Sequence, residues 1–552
     1  MPGYRPRLRA GLVLRPPERP GAPPRLYDPH SGNALPLREP WQQAALPLLD
    51  GTRDAEAVHH ALASASGGAV APPSLEAVRC LLQSARYLRL TEDTDPGALA
   101  RLEQARRDPA GHAARVPWRV LRGGRFACQR SGNCCRSYAL GPLGPEDVAA
   151  LQRLQRLAER FPALGERPPV RTFANPDAPG GLEHHLQQAE HGGCVFLLED
   201  NRCGIHALYG PEHKPAMCQL FPTSAVLTLE AKFAFDRAEC HTYGTSAFGG
   251  ESYPDRVRRL LPLLEQQASR QLFHPQIALD EALAIDFAYF LVFEQHVVAV
   301  LGEPCGTIAE ALLALRAANA HLLAAVAHSD DPAARPEQVL AAVAAVPPRA
   351  RYASEPLAAG ERRAGLGALA ALLREMYAAC ERTILRSGHP GMLRKHGEGI
   401  EAARAAAVLC HLEASGQGLQ ALPRGDPAAE RIRAAAALPL SLAAPRCDRR
   451  LRRLLQDVVF SKDYALCPSW LHACARLVAL LVLVLVGARL AAVRAGRERP
   501  ADADLDRAQV QALRLLRLPL LAELPLRLAQ LRAICASPAL PLGTAGAAPP
   551  PG

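Results

Sequence analysis

The sequence predicts an α+β protein, mostly α, divided among several domains. Three observations carry that expectation. Short extended runs broken by Pro and Gly are confined to residues 4–95, whereas long stretches with apolar residues at three- and four-residue spacing fill the chain beyond 251. Between them lies a loop-rich segment, 123–250, that gathers seven of the 15 cysteines. At 552 residues the chain is also too long for one ordinary core. With 49% hydrophobic and 21% charged residues, its composition is globular rather than disordered.

In the first unit, "GLVLRPP" and "PRLYDP" read as short strands, and "PHSGNALPL" as a turn at Ser31, Gly32 and Asn33 followed by a third. Three helices follow. One lies around "EPWQQAALPLLDG" and is closed by Gly51, one carries "RDAEAVHHALAS" from Thr52, and "SLEAVRCLLQSARYL" is capped by Ser74. A last extended run, "YLRLTED", closes the unit. This order, with "LLDGTRD" at its centre, resembles the small winged-helix peptide-binding domain of pyrroloquinoline-quinone biosynthesis. That domain type also recognises leader peptides in peptide-modifying enzymes. The resemblance implies a protein or peptide substrate that adds a strand to the exposed edge of the hairpin. The alternative is a winged helix that only packs on its neighbour.

Residues 96–122 read as a helix and linker, and 251–420 as a helical domain interrupted by a Pro-rich break near 328–352. After a second break at 421–427, helical periodicity resumes over 430–537, and 538–552 has the composition of a disordered tail. The most apolar run, "LVALLVLVLVGA", has 12 residues between Arg476 and Arg489. That is short of the ~20 needed to cross a bilayer, so a buried core helix is expected and no membrane span. "MPGYRPRLRAGLVLRPPERP" has no signal-peptide core, which points to the cytoplasm, where thiols stay reduced. The formal charge of +10 comes from scattered arginines, and only Lys214, Lys232, Lys395 and Lys462 are lysines, so no nucleic-acid partner is expected. The densest basic run, "RCDRRLRR" at 446–453, reads as a solvated helix face.

The cysteines divide into two kinds. Cys80, Cys305, Cys380, Cys410, Cys447, Cys467, Cys474 and Cys535 stand singly in helical patterns and read as small buried hydrophobes. The rest cluster: "FACQRSGNCC" brings Cys128, Cys134 and Cys135 together, "GGCVFLLEDNRCGIHALYGPEHKPAMCQLFP" brings Cys194, Cys203 and Cys218, and "DRAECHTYG" adds Cys240. Neighbouring glycines would let the chain turn tightly around an ion, and Pro215 and Pro222 would stiffen the segment about Cys218. Soft thiolates suit Zn²⁺ or an iron–sulfur cluster and argue against Mg²⁺ or Ca²⁺. Seven exceed the four that one tetrahedral zinc or one [4Fe–4S] cluster takes. Adjacent Cys134 and Cys135 point apart in most backbone conformations, so one is expected to bind metal while the other packs, binds a second metal or stays reactive.

The pattern F-x-C-x5-C-C, then C-x-F-L and C-x-I-H, then K-P-x-x-C-x-x-F-P, resembles the zinc- or iron-chelating cysteine-cluster family that includes bacterial flagellin lysine-N-methylases. The resemblance covers 126–222, extending toward 244. It implies a metal site on Cys128, Cys134, Cys135, Cys194, Cys203 and Cys218, with Cys240 a further candidate. The first spacing is looser than the C-x2-C-x2-C-C of many members, which leaves Cys128 less determined. By the same resemblance, a [4Fe–4S] cluster, S-adenosylmethionine and a lysine N-methyltransferase activity are implied. The alternative is a non-enzymatic zinc- or iron-chelating protein with a structural, storage or delivery role.

His206 and His241 are candidate replacement ligands, read first as outer-shell or surface residues, and Tyr209, Lys214 and Tyr243 lie in the same motifs. On "LAIDFAYFLVFEQHVV", Asp286, Tyr289, Phe293 and His296 share a face and read as a buried hydrogen-bonded set. Glu294 and His296 are spaced wrongly for a Glu-x-x-His di-iron helix. The "GLG" at 365–367 follows no strand, and no P-loop, G-x-S-x-G or H-E-x-x-H occurs.

Overall fold

The computed structural model describes most of residues 5–538. The longest stretches outside it are 18–22, 28–33, 66–72, 88–95, 176–180, 328–340, 342–356, 440–444, 519–527 and 539–552. The expected turn at Ser31–Asn33, the run after Tyr87, most of the 328–352 break and the tail from 539 lie outside the described residues. What is described is α+β and mostly α, with small sheets.

The first unit pairs β1 (Val13–Arg15), β2 (Arg25–Tyr27) and β3 (Ala34–Pro36) in an antiparallel sheet of that order. Leu26 and Leu35 face each other across β2 and β3 and are buried, whereas all of β1 is exposed. Helices α1 (Pro40–Ala45), α2 (Ala55–Ala65) and α3 (Leu75–Tyr87) bury Val58, Leu62, Val78 and Leu82 against those leucines. The caps are where the sequence places them or close by. Asp54 accepts the amide of Ala57 at 2.9 Å, and Ser74 that of Ala77 at 3.1 Å. Gly51 turns the chain at φ +87°.

Helices α4 (Pro96–Arg107) and α5 (Pro109–Arg115) lead into β4 (Trp118–Val120) and β5 (Arg125–Phe126). The cysteine segment then runs through α6 (Asn133–Ser137), α7 (Pro145–Arg153), α8 (Leu157–Arg160), β6 (Val170–Ala174), β7 (Leu182–Leu186), α9 (Gly204–Tyr209) and α10 (Ala216–Leu220). It continues into the hairpin β8 (Thr223–Thr228) and β9 (Lys232–Asp236), then α11 (Tyr243–Ser246), β10 (Glu251–Ser252), α12 (Tyr253–Gln266) and β11 (Arg270–Leu272). The four-stranded sheet has the order β11-β8-β9-β4, with β4 parallel to β9 and β11 parallel to β8. Every residue of β9 is buried because both faces are covered. Ala234 packs with Tyr253 and Val257 of α12, while Phe233 and Phe235 enter the main helical core.

Beyond the sheet, β12 (Gln276–Ala278) and β13 (Ala284–Asp286) form a hairpin ahead of α13 (Phe287–Gly302). This corrects the wholly helical reading of "LDEALAIDFAYF": Asp280 accepts the Leu283 amide at 2.9 Å, and the turn it closes sends Ala284–Asp286 back along β12. The helical core adds α14 (Ile308–Ala327), α15 (Ala359–Cys380), α16 (Pro390–Ala414), α17 (Pro427–Ala437), α18 (Pro445–Phe460), α19 (Trp470–Arg494), α20 (Asp502–Leu516) and α21 (Leu528–Ala536). Thr307 and Glu310 cap α14 reciprocally.

The 25-residue α19 extends well past the apolar run because the arginines that bound the run turn inward. Arg476 donates to the Cys467 sulfur at 3.5 Å and to the Leu516 carbonyl, and Arg489 is buried. By length and composition, α19 and Ile308–Val326 could each cross a membrane; α19 is mostly buried among α16, α17, α20 and α21.

The basic run on α18 is not a solvated face. Arg450, Arg452 and Arg453 are buried, each against a carboxylate: Asp506, Asp448 and Asp457 respectively. Arg449 covers the Phe248 ring at 4.1 Å. The seam reaches the end of the cysteine segment, where Tyr243 donates to Asp457 at 2.6 Å and the Gly244 amide to Asp506 at 2.8 Å. Charge spacing alone cannot distinguish this from a solvated helix, since the acidic partner of Arg450 is 56 residues away.

On α13 the buried polar residue is Glu294. Its carboxylate accepts from Lys462 Nζ at 2.8 Å and from Tyr464 Oη at 2.5 Å, and Lys462 lies 3.6 Å from the Phe233 ring centroid. Burial pushes Lys462 down to about 8 despite the carboxylate.

Three histidines, one buried and two partly buried, contribute to the acid response. Burial, aided by nearby arginine or lysine charge, lowers His241, His396 and His472 each to about 4. The unfolded chain takes up these protons near its ordinary value of 6.5, so the contribution of these rings to folding stability is lost as pH drops from about 6.5 towards 4. Denaturant midpoints at pH 7.5, 5.5 and 4.5 should decline in that order; equal midpoints would show that these rings are solvated.

Candidate metal centre

Three stretches of chain bring four of the cysteines together. Cys134 lies in α6, whose start is set by Gly132 at φ +67°. A Cβ at Gly132 would stand 3.1 Å from Leu197 Cδ1 and 3.2 Å from Asn201 Cβ, so a side chain there would crowd the second stretch. Two bonds tie these stretches: the Cys194 amide donates to the Cys135 carbonyl at 2.9 Å, and Arg136 Nη2 donates to Asn201 Oδ1 at 2.6 Å.

Cys194 and Cys203 flank a tight turn, joined across it by the bridge between Leu197 and Cys203. Gly204, directly after Cys203, donates to the Phe196 carbonyl at 2.8 Å, and a Cβ there would strike the Phe161 ring at 2.2 Å. Cys203 is the residue at the N-terminal cap of α9. Cys218 sits in the single turn of α10, begun by Pro215 and held by Asp147 of α7, which accepts the Ala216 amide at 2.9 Å.

Cys194 stands within electrostatic reach of Cys218, Cys203 and Cys134, and Cys218 within reach of Cys203 and Cys134. Burial pushes Cys194 and Cys218 each up to about 12, and the neighbouring thiols push in the same direction. Lys214 opposes this at Cys218 and at Cys134. The Cys134 thiol is raised first by its contact with Cys135, at 3.8 Å between sulfurs, and then by burial. The four are neighbours rather than a closed cage: among the described residues, no three His, Cys, Asp or Glu side chains are arranged to hold a metal ion as they stand. The donor set itself fits. Four soft sulfurs, largely buried and with one lysine charge nearby, match the number and chemistry that Zn²⁺ or a [4Fe–4S] cluster requires.

Of the other candidates, Cys135 lies beside the four, its sulfur 3.8 Å from that of Cys134, and it borders the same apolar cluster that Cys194 joins and Cys203 and Cys218 line. Cys128 is exposed. Cys240 is buried in the main helical core, with Thr242 Oγ1 at 3.3 Å and Ser246 Oγ at 3.6 Å. His206 is exposed, and His241 lies near Arg514, Arg507 and Glu239 rather than near the four thiols. Tyr243 belongs to the arginine seam. Reading the sequence identified Lys214 only as a motif residue; its charge acts on two thiols. Asp147 had no signal at all, because its role as a cap for α10 spans 69 residues.

Residues 127–241 match the family model CxxCxxCC, described as "Putative zinc- or iron-chelating domain". No curated protein and no solved structure matches the chain. The family match supports placing this segment with the cysteine-cluster, zinc- or iron-chelating family, and with it a metal-binding role for the cysteines.

Proposed function

We propose that the protein is a metal–thiolate protein whose centre is held by Cys134, Cys194, Cys203 and Cys218 and takes Zn²⁺ or a [4Fe–4S] cluster. The observation that carries this reading is the convergence of these four thiols from three separate stretches of chain. Cys135, Cys128 and Cys240 stand outside the centre. Burial keeps Cys194 and Cys218 protonated without the metal, and binding therefore releases protons. Anaerobic purification followed by metal and acid-labile sulfide analysis tests it. Iron with matching sulfide and broad visible absorption identifies a cluster. Stoichiometric zinc without sulfide identifies a tetrahedral zinc site. A protein with neither, after reconstitution with both, overturns the reading.

A second reading, a lysine N-methylase acting on a protein or peptide with S-adenosylmethionine as donor, is supported by the first unit. Strand β1 pairs only with β2 among the described residues, and Val13 and Leu14 on it are 47% and 48% exposed. That free edge fits an extended substrate segment adding a strand. Methyl transfer then requires a neutral lysine amine held in line with the sulfonium carbon, a matter of positioning and desolvation. Thermal stabilisation by saturating S-adenosylmethionine tests this reading, since a ligand of the native state must raise its stability. No shift returns the protein to the non-enzymatic chelator.

A further inference from the structure

Cys218 stands on the five residues of α10, which run through Phe221 and Pro222 directly into β8. So short a helix leaves its last carbonyls without amide partners and cannot fix its own direction. Asp147 holds its beginning. Its end is held by Arg256 of α12, which is 6% exposed. Nη2 of Arg256 donates to the carbonyls of Gln219 and Leu220, each at 3.4 Å, and to that of Phe221 at 3.1 Å. Nε donates at 3.0 Å to Thr223 Oγ1, which also accepts from Tyr253 Oη at 3.1 Å. The same guanidinium pairs with Glu251 at 3.3 Å and lies 4.3 Å from the Phe126 ring centroid. Phe126 is on β5, two residues ahead of Cys128 and eight ahead of Cys134, and β5 pairs with β10 directly before α12. One side chain beyond the matched segment 127–241 therefore touches the chain on both sides of the metal centre.

We propose that Arg256 is a positioning residue of the metal centre, which aims the Cys218 sulfur by clamping the end of α10 against the strand that leads to Cys134. The inference rests on the metal–thiolate reading above. A cation at the end of a helix meets the negative end of the helix dipole, and burial keeps that attraction from being screened. The planar guanidinium also reaches hydroxyl, carbonyls and carboxylate at once, which a lysine ammonium cannot do. The hydrogen bonds of Arg256 go to carbonyls, Thr223 and Glu251 and to no sulfur, so its hold on Cys218 is mechanical. Without it α10 is free to swing, while Phe126 keeps its apolar packing with Tyr253, Val257 and Leu260. The loss is therefore local to one ligand.

The test loads the full-length protein with Zn²⁺ under anaerobic conditions, or with iron and sulfide where the wild type takes no zinc. Chelator competition then gives metal affinity, and limiting iodoacetamide gives the labelling rate of each cysteine by mass spectrometry. Cys203 and Cys218 share a tryptic peptide, so fragment ions assign the label between them. Arg256→Met should weaken metal binding about 10- to 100-fold, the range for groups that orient a ligand without touching the metal. Cys218 should then be labelled ahead of Cys194 and Cys203. Arg256→Lys should recover part of the affinity, because a cation still reaches the carbonyls. Glu251→Gln removes the ion pair but leaves the three carbonyl bonds, and should bind metal as the wild type does. Should Arg256→Met fail to fold, the contrast between Arg256→Lys and Glu251→Gln carries the same test. Wild-type affinity in the Arg256 variants, equal labelling of all the thiols, or a loss in Glu251→Gln as large as theirs would each overturn the proposal. A wild-type chain that holds neither zinc nor cluster iron overturns the metal reading itself, and this inference with it.

Discussion

Serine in place of any one of Cys134, Cys194, Cys203 or Cys218 should release the metal, whereas serine at Cys128 or Cys240 should leave it bound. A tetrathiolate centre has no spare ligand. Structural zinc binding in small domains is worth roughly 10–16 kcal/mol near neutral pH, much of which is folding free energy. The stretches that carry the four thiols are single helical turns and tight loops, with little apolar core of their own beyond the Phe161–Phe196 cluster. Loss of metal should therefore loosen residues 127–222 first, seen as new protease cleavage there, while the helical core stays intact. Metal per chain after gel filtration checks the assignment. Full occupancy in both Cys203→Ser and Cys218→Ser would remove it. Cys135→Ser is the sharpest single comparison: retention of metal assigns the ligand of the vicinal pair to Cys134. Because burial holds Cys194 and Cys218 near 12, metal binding displaces their protons, and affinity should fall as pH falls. Competition with a chelator at two pH values measures that slope.

Glu294→Ala should be among the most damaging substitutions outside the metal centre, at about 3–5 kcal/mol. Lys462 is 0% exposed and sits at φ 63°, an unfavourable backbone for a lysine that its surroundings must hold. Its ammonium is satisfied by Glu294, the Phe460 carbonyl and two aromatic faces. Removing the carboxylate leaves a buried charge without its counter-ion and Tyr464 without its acceptor. The pH response separates this from simple loss of packing. Lys462 already titrates near 8, below its ordinary 10.5, so stability rises with pH between those values. Without Glu294 that window should open at lower pH, and raising the pH from 7 to 9 should recover part of the loss. Chemical denaturation at the two values decides. A loss unchanged by pH would mean the pair contributes through shape alone.

The parts of the fold that were legible in the sequence are those governed by local rules. Period places α2, α3 and α14, and capping marks α3, where Ser74 accepts a free amide; α2 is capped by Asp54, two residues past the Thr52 start read from the sequence. The grouping of the cysteines was equally legible, because turn residues and thiols at those spacings have few other uses. Three features were not. The strand at Ala284–Asp286 follows from its hairpin partner and not from its own apolar pattern. The arginines of α18 are buried because Asp506 reaches them from α20 and Tyr243 from α11. Cys240 looks in sequence like a seventh member of the cluster, yet its loop is drawn into the helical core, where Gln509 Nε2 holds the Ala238 carbonyl at 2.7 Å.

The sequence by itself determined that this is a mostly helical α+β chain with a thiol-rich, metal-directed segment between a small N-terminal unit and a long helical region. Periodicity, caps and ligand chemistry act over a few residues and leave their mark in order along the chain. Tertiary structure alone decided which thiols lie near one another, and that a basic stretch is a buried seam. Each of these depends on groups tens to hundreds of residues apart, whose approach is set by how helices and turns pack and is written in no local pattern.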